Sequence, residues 1–123
     1  MTRRLFTRDE RGVAAVEFAL VSPVFFLALF GLGQAGLWLW ADFSLQRAVN
    51  TAARCAVITP TACTDVASYA ASNVVGLSVP SSAFSSTTVA CGKQVSAAYE
   101  APSFTSGLGL PIPTIHVSAC YPT

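Results

Sequence analysis

The segment Arg11-Gly12-Val13-Ala14-Ala15-Val16-Glu17-Phe18 joins a basic leader to a long apolar run, and it holds the residues best spaced to do chemistry. A carboxylate at the centre of a membrane helix costs about 2.5–3.5 kcal/mol, and less near the interface. Glu17 at the mouth of the run therefore calls for a partner charge. Cutting after Gly12 would create an α-amine at Val13 and make Glu17 the fifth residue of the mature chain. That amine would be mainly protonated at neutral pH. The chemistry on offer is charge compensation, not turnover.

Other candidate chemistry is thinner. His116 is the only histidine, and it reads as a partly exposed strand residue. A Cys–His nucleophile pair needs a free thiol, whereas an even set of four cysteines in a translocated chain argues for two disulfides. A metal site built from the same cysteines and His116 lacks any C-x-x-C pair. Gly31-Leu32-Gly33-Gln34-Ala35-Gly36 spells the G-x-G-x-x-G string of dinucleotide sites. That motif needs a strand before it, a helix opening after it and an acid about 20 residues on. Here a long apolar segment containing Pro23 precedes it and no acid lies near that offset. The sequence is read as non-enzymatic, without cofactor or metal.

Charge is sparse and unevenly placed. Arg3, Arg4, Arg8 and Arg11 precede Gly12, against Asp9 and Glu10. The remainder carries Arg47, Arg54 and Lys93 against Glu17, Asp42, Asp65 and Glu100, for a formal net charge of +1 over 123 residues. Such a body has no basic stripe to neutralise a phosphate track, which excludes nucleic-acid binding.

The elements that must position Glu17 follow from hydropathy. Residues 18–41 contain no charge; as a helix they span about 36 Å against a hydrocarbon core of about 30 Å. The arginines before them would stay cytoplasmic by the positive-inside rule, sending the rest across, with Trp38 and Trp40 near the far interface. A cleaved signal peptide is the bland alternative, with Gly33-Gln34-Ala35 as a weak processing site, but its apolar region is typically about 7–15 residues. Pro23 should kink the span. Gly31, Gly33 and Gly36 weaken it and offer a close-packing face. Beyond it Phe43, Leu45, Ala48, Val49, Ala52, Ala53, Ala56 and Val57 recur at helical spacing, opposite Asp42, Gln46, Arg47, Asn50 and Arg54. The helix is expected from Val13 to Thr59, with Pro60 as the stop.

After Pro60 serine and threonine become abundant. Thr64-Asp65 can cap a short helix reaching about Val75, ended by Gly76. Residues 77–86 read as a Ser/Pro-rich loop. Strands are expected at Thr87–Cys91, Gln94–Glu100 and Thr114–Tyr121, with Gly92-Lys93 as the first turn and Pro102–Pro113 as a connecting loop. The fold class is α+β: a long N-terminal helix, transmembrane then amphipathic, packed on a small head with a short helix and about three antiparallel strands. Cys55, Cys63, Cys91 and Cys120 allow three pairings; the preferred set is Cys55–Cys63, joining helix end to loop, and Cys91–Cys120, joining two strands.

The run Arg11-Gly12-Val13-Ala14-Ala15-Val16-Glu17-Phe18-Ala19-Leu20-Val21-Ser22-Pro23 resembles the start of TadE-like pseudopilins of the tight-adherence (Flp) pilus system. The similarity continues through the glycine-bearing helix to the Ala-Ala-Arg segment at 52–54 and covers about the first 58 residues. The resemblance implies cleavage between Gly12 and Val13 by a prepilin peptidase, an aspartic membrane protease. It implies a role for Glu17 in processing and assembly. Family members often carry tyrosine where this chain has Phe18, and others carry an apolar residue there. Also implied are a bacterial inner-membrane location with the head in the periplasm, passage into an extracellular fibre, and a part in pilus assembly and adhesion. The partners would be the peptidase, other pilins and pseudopilins, the Tad inner-membrane assembly platform and the lipid bilayer. The chain then divides into a cleaved basic leader (1–12), a transmembrane helix (13–41), its amphipathic continuation (42–59) and the head (60–123). The alternative is an uncleaved single-pass envelope protein whose head binds a partner.

Overall fold

A computed structural model describes residues 10–104 and 106–123; Arg3, Arg4, Arg8 and Asp9 of the basic leader lie outside the described residues. The chain forms two compact units, Met1–Gly33 and Gln34–Thr123. Helix α1 runs Glu10–Ile58, α2 runs Val66–Ser72, and a single 3-10 turn covers Ser81–Ala83. Strands β1 (Phe84–Val89), β2 (Gly92–Glu100) and β3 (Thr114–Tyr121) make one antiparallel sheet in the order β1-β2-β3. The fold is α+β, as the sequence predicts.

In the first unit the described residues of α1 carry an exposed apolar surface. Every residue from Gly12 to Val21 is exposed, and α1 is long and apolar enough to cross a membrane. Pro23 lies inside α1, and the helix continues past it.

In the second unit the C-terminal part of α1 buries a stripe made of Ala41, Ser44, Leu45, Ala48, Val49, Ala52 and Ala53. These recur at steps of three and four and so share one face. Phe43, expected on that face, is instead 72% exposed. The stripe passes through positions 41, 44 and 45, which turns position 43 outward. Alanine supplies four of the seven positions, so this face of the helix is made mostly of small side chains. Facing it, β2 contributes Val95 and Ala97, and β3 contributes Val117 and Ala119. The register pairs Val95 with Ala119 and Ala97 with Val117, so each cross-strand pair sets one larger side chain beside one small one. Leu45, Val49 and Val95 are the largest side chains fully removed from solvent, each stabilising by about 1.5–3 kcal/mol.

Asp65 caps α2, accepting a hydrogen bond from the Ser68 amide at 3.2 Å. The helix ends at Ser72, earlier than the expected Val75. Asn73 closes it by donating from Nδ2 to the Tyr69 carbonyl at 2.8 Å. Gly76 adopts φ +76° beyond the helix, where a Cβ would come within 3.3 Å of the Trp40 indole nitrogen. Strand β1 starts at Phe84 and not at Thr87, because Phe84 is a buried anchor of the core. The hairpin turn falls on Ala90-Cys91, between the paired residues Val89 and Gly92, and not on Gly92-Lys93. Gly92 is needed for another reason. It holds φ +126°, and a Cβ there would clash with the Tyr121 carbonyl oxygen. Glycine permits both the backbone angle and the approach.

Candidate functional site

The N-terminal site is a strip on α1. Gly12, Val13, Glu17 and Phe18 are all helical and all exposed, Phe18 at 71%. Helical register sets residues 13 and 17 on one face, about 6 Å apart along the axis. An amine at Val13 would thus stand one turn from the Glu17 carboxylate. Among the described residues, nothing besides its chain neighbours and the helix's own backbone lies within 4 Å of where a Cβ on Gly12 would be. Phe18, Val21, Ser22, Phe25 and Phe26 line a shallow apolar depression of about 280 Å³. The rings of Phe25 and Phe26 meet edge to face with centroids 5.7 Å apart.

The glycines expected to pack against another helix are open. Gly31, Gly33 and Gly36 are exposed, and at Gly31 and Gly36 nothing lies within 4 Å of a Cβ position.

The head's cysteines pair as Cys55–Cys63 and Cys91–Cys120, with Cα separations of 6.0 and 6.4 Å. The first ties the end of α1 to the link before α2; the second ties the hairpin turn to β3. No free cysteine is left among the described residues, nor any group of three or more His, Cys, Asp or Glu able to hold a metal. His116 is exposed on the sheet opposite Ala98. It lines an open trough of about 400 Å³ together with the hydroxyls of Ser85, Ser96 and Ser118. The Ser85 and Ser96 hydroxyls bond each other at 2.8 Å. The Asp65 carboxyl is held below its ordinary range, first by the Ser68 hydroxyl and then by the Ser68 amide.

Two residues acquire roles that hydropathy did not reveal. The Ser44 hydroxyl donates to the Val75 carbonyl at 3.1 Å and accepts from the Val75 amide at 2.9 Å, latching α1 to the segment after α2. Gln34 donates from Nε2 to the Pro102 carbonyl at 2.8 Å, and its Oε1 accepts from the Phe104 amide at 3.0 Å. The signal available in sequence was a single amide side chain inside a long uncharged run.

These features define a class: an exposed apolar helix able to cross a membrane, continuing into the core of a small disulfide-bonded α+β head. Within it, residues 12–54 match the family of TadE-like proteins. The match begins at Gly12, takes in Glu17 and the glycines, and ends at Arg54 in the amphipathic part of α1. No curated protein and no solved structure matches the chain.

Proposed function

We propose that this chain is a TadE-like minor pilin or pseudopilin of a tight-adherence (Flp) pilus, acting in pilus assembly and adhesion. The family match that starts at Gly12, on a helix whose apolar surface is exposed among the described residues, carries the reading. The precursor inserts with its arginine-rich leader in the cytoplasm and its head in the periplasm. A prepilin peptidase cuts between Gly12 and Val13. The freed ammonium and a Glu17-type carboxylate of a neighbouring pilin then compensate each other in apolar surroundings, where an unpartnered charge is strongly disfavoured. The open glycines at 31, 33 and 36 suit close approach by another helix. The assembly platform of the inner membrane and sister pilins are the partners.

Mass spectrometry of the chain from cells containing the matching peptidase tests this directly. The expected species lacks Met1–Gly12 and begins at Val13. A chain found only at full length refutes the pilin reading and leaves a tethered head.

A further inference from the structure

We propose that the loop segments 102–104 and 106–113 form a membrane-seated element that enters the outer-facing leaflet beside α1 and fixes the depth at which the head meets the bilayer. The inference rests on the membrane reading of α1 given above. Its occupant is lipid, at the boundary between headgroups and acyl chains.

The loop is pinched at its base by a hydrogen bond from the Ala101 amide to the Pro113 carbonyl, 3.0 Å. There Ala101, Pro113 and Ile115 face Trp38, Leu39 and Asp42 of α1 across a crevice of about 250 Å³. From that base the chain returns toward earlier residues of α1, where Pro102 and Phe104 both bond Gln34. Gln34 lies inside the uncharged stretch of residues 18–41. Relative to Trp38 and Trp40 it is about 6–9 Å further along the helix axis toward the span. With those indoles at the interface, the tether lies below the headgroup level. Amphipathic elements seat at a similar depth, about 5–10 Å into this boundary.

The composition of the loop fits that depth. Residues 101–113 contain no charged side chain. Phe104, Leu108 and Leu110 are 64%, 73% and 55% exposed, whereas about half of the exposed positions elsewhere in the head are serine or threonine and none is leucine or phenylalanine. Irregular backbone is costly in lipid because each unpaired amide must be desolvated. Pro102, Pro111 and Pro113 have no amide hydrogen to desolvate. Pairing with Gln34 satisfies one carbonyl and one amide more, and it also satisfies both polar ends of the glutamine. Loop and glutamine thus solve each other's problem in an apolar medium.

The test uses the full-length oxidised chain in lipid vesicles. With all four native cysteines paired, a thiol introduced by Leu108→Cys takes an environment-sensitive fluorophore selectively. Lipids carrying a quencher near the headgroup end of the acyl chain should remove more than half of its emission. A Thr87→Cys label on β1 should be unaffected, and a Leu27→Cys label should be quenched by lipids bearing the group deeper in the chain. Adding Gln34→Leu should raise the emission of the Leu108 label, and unchanged quenching there overturns the tether. An unquenched Leu108 label beside a quenched Leu27 label overturns the loop proposal alone. If neither is quenched, the membrane reading of α1 is what fails. A blue shift at Leu108 without quenching overturns lipid as the occupant and assigns the site to a neighbouring protein.

Discussion

Removing the Cys91–Cys120 bridge should cost the head more than removing Cys55–Cys63. The two bonds close loops with sequence separations of 29 and 8. The entropy each removes from the unfolded chain corresponds to about 3.6 kcal/mol for the longer loop and about 2.5 kcal/mol for the shorter. Together they reach about 6 kcal/mol, comparable with the lower end of the total stability of a domain, about 5–15 kcal/mol. A reduced head would therefore have little stability to spare, which fits the export to an oxidising compartment proposed above. The assay is urea unfolding of full-length chain in lipid nanodiscs, comparing Cys91→Ala/Cys120→Ala with Cys55→Ala/Cys63→Ala. Near-ultraviolet circular dichroism reports on Tyr69, Tyr99 and Tyr121, which pack against the core. With a slope of about 1 kcal/mol per molar urea, the two midpoints should differ by about 1 M, the Cys91/Cys120 variant being weaker. Equal midpoints, or the reverse order, refute the loop-entropy reasoning.

Three further outcomes are expected. Glu17→Ala should leave a stable membrane-inserted chain but abolish its support of piliation, since breaking a buried charge pair costs about 3–5 kcal/mol; sheared-fibre yield beside membrane content checks this, and normal fibres would exclude the pairing. Gly92→Ala should destabilise the hairpin by at least about 1–3 kcal/mol, because the new Cβ meets the Tyr121 carbonyl at a φ of +126°; a wild-type urea midpoint would contradict it. Asp65, whose folded pKa lies below the ordinary 3.8, contributes capping stability that is present above that value and lost as pH falls through the folded pKa. Ser68→Ala should move the Asp65 titration upward in an NMR pH series, and an unmoved titration would mean that the hydroxyl is not its main cause.

Much of the architecture was legible because single residues announce it. Pro60 marks the end of α1, Asp65 caps α2, and the alternation in 94–100 and 114–121 marks two strands. Phe43 misled because a short amphipathic pattern admits more than one stripe, and the choice depends on what packs against it. The hairpin turn misled for a related reason. Gly92 looks like a turn residue, yet its glycine character answers to Tyr121, which is 29 residues away in sequence. Ser44 was unreadable because its partner, the backbone of Val75, carries no side-chain signature.

Hydropathy and charge by themselves determined that one long helix carries an uncharged run over residues 18–41, that Glu17 stands at the mouth of that run, and that the remainder is a small cysteine-bearing head. Those properties belong to residue type and spacing along one helix, so no folding is needed to see them. Only the tertiary structure decided which face of α1 enters the core, where the hairpin turns, and that Gln34 holds residues 102 and 104. Each is a contact between segments remote in sequence, and its energy exists only once the backbone has brought them together.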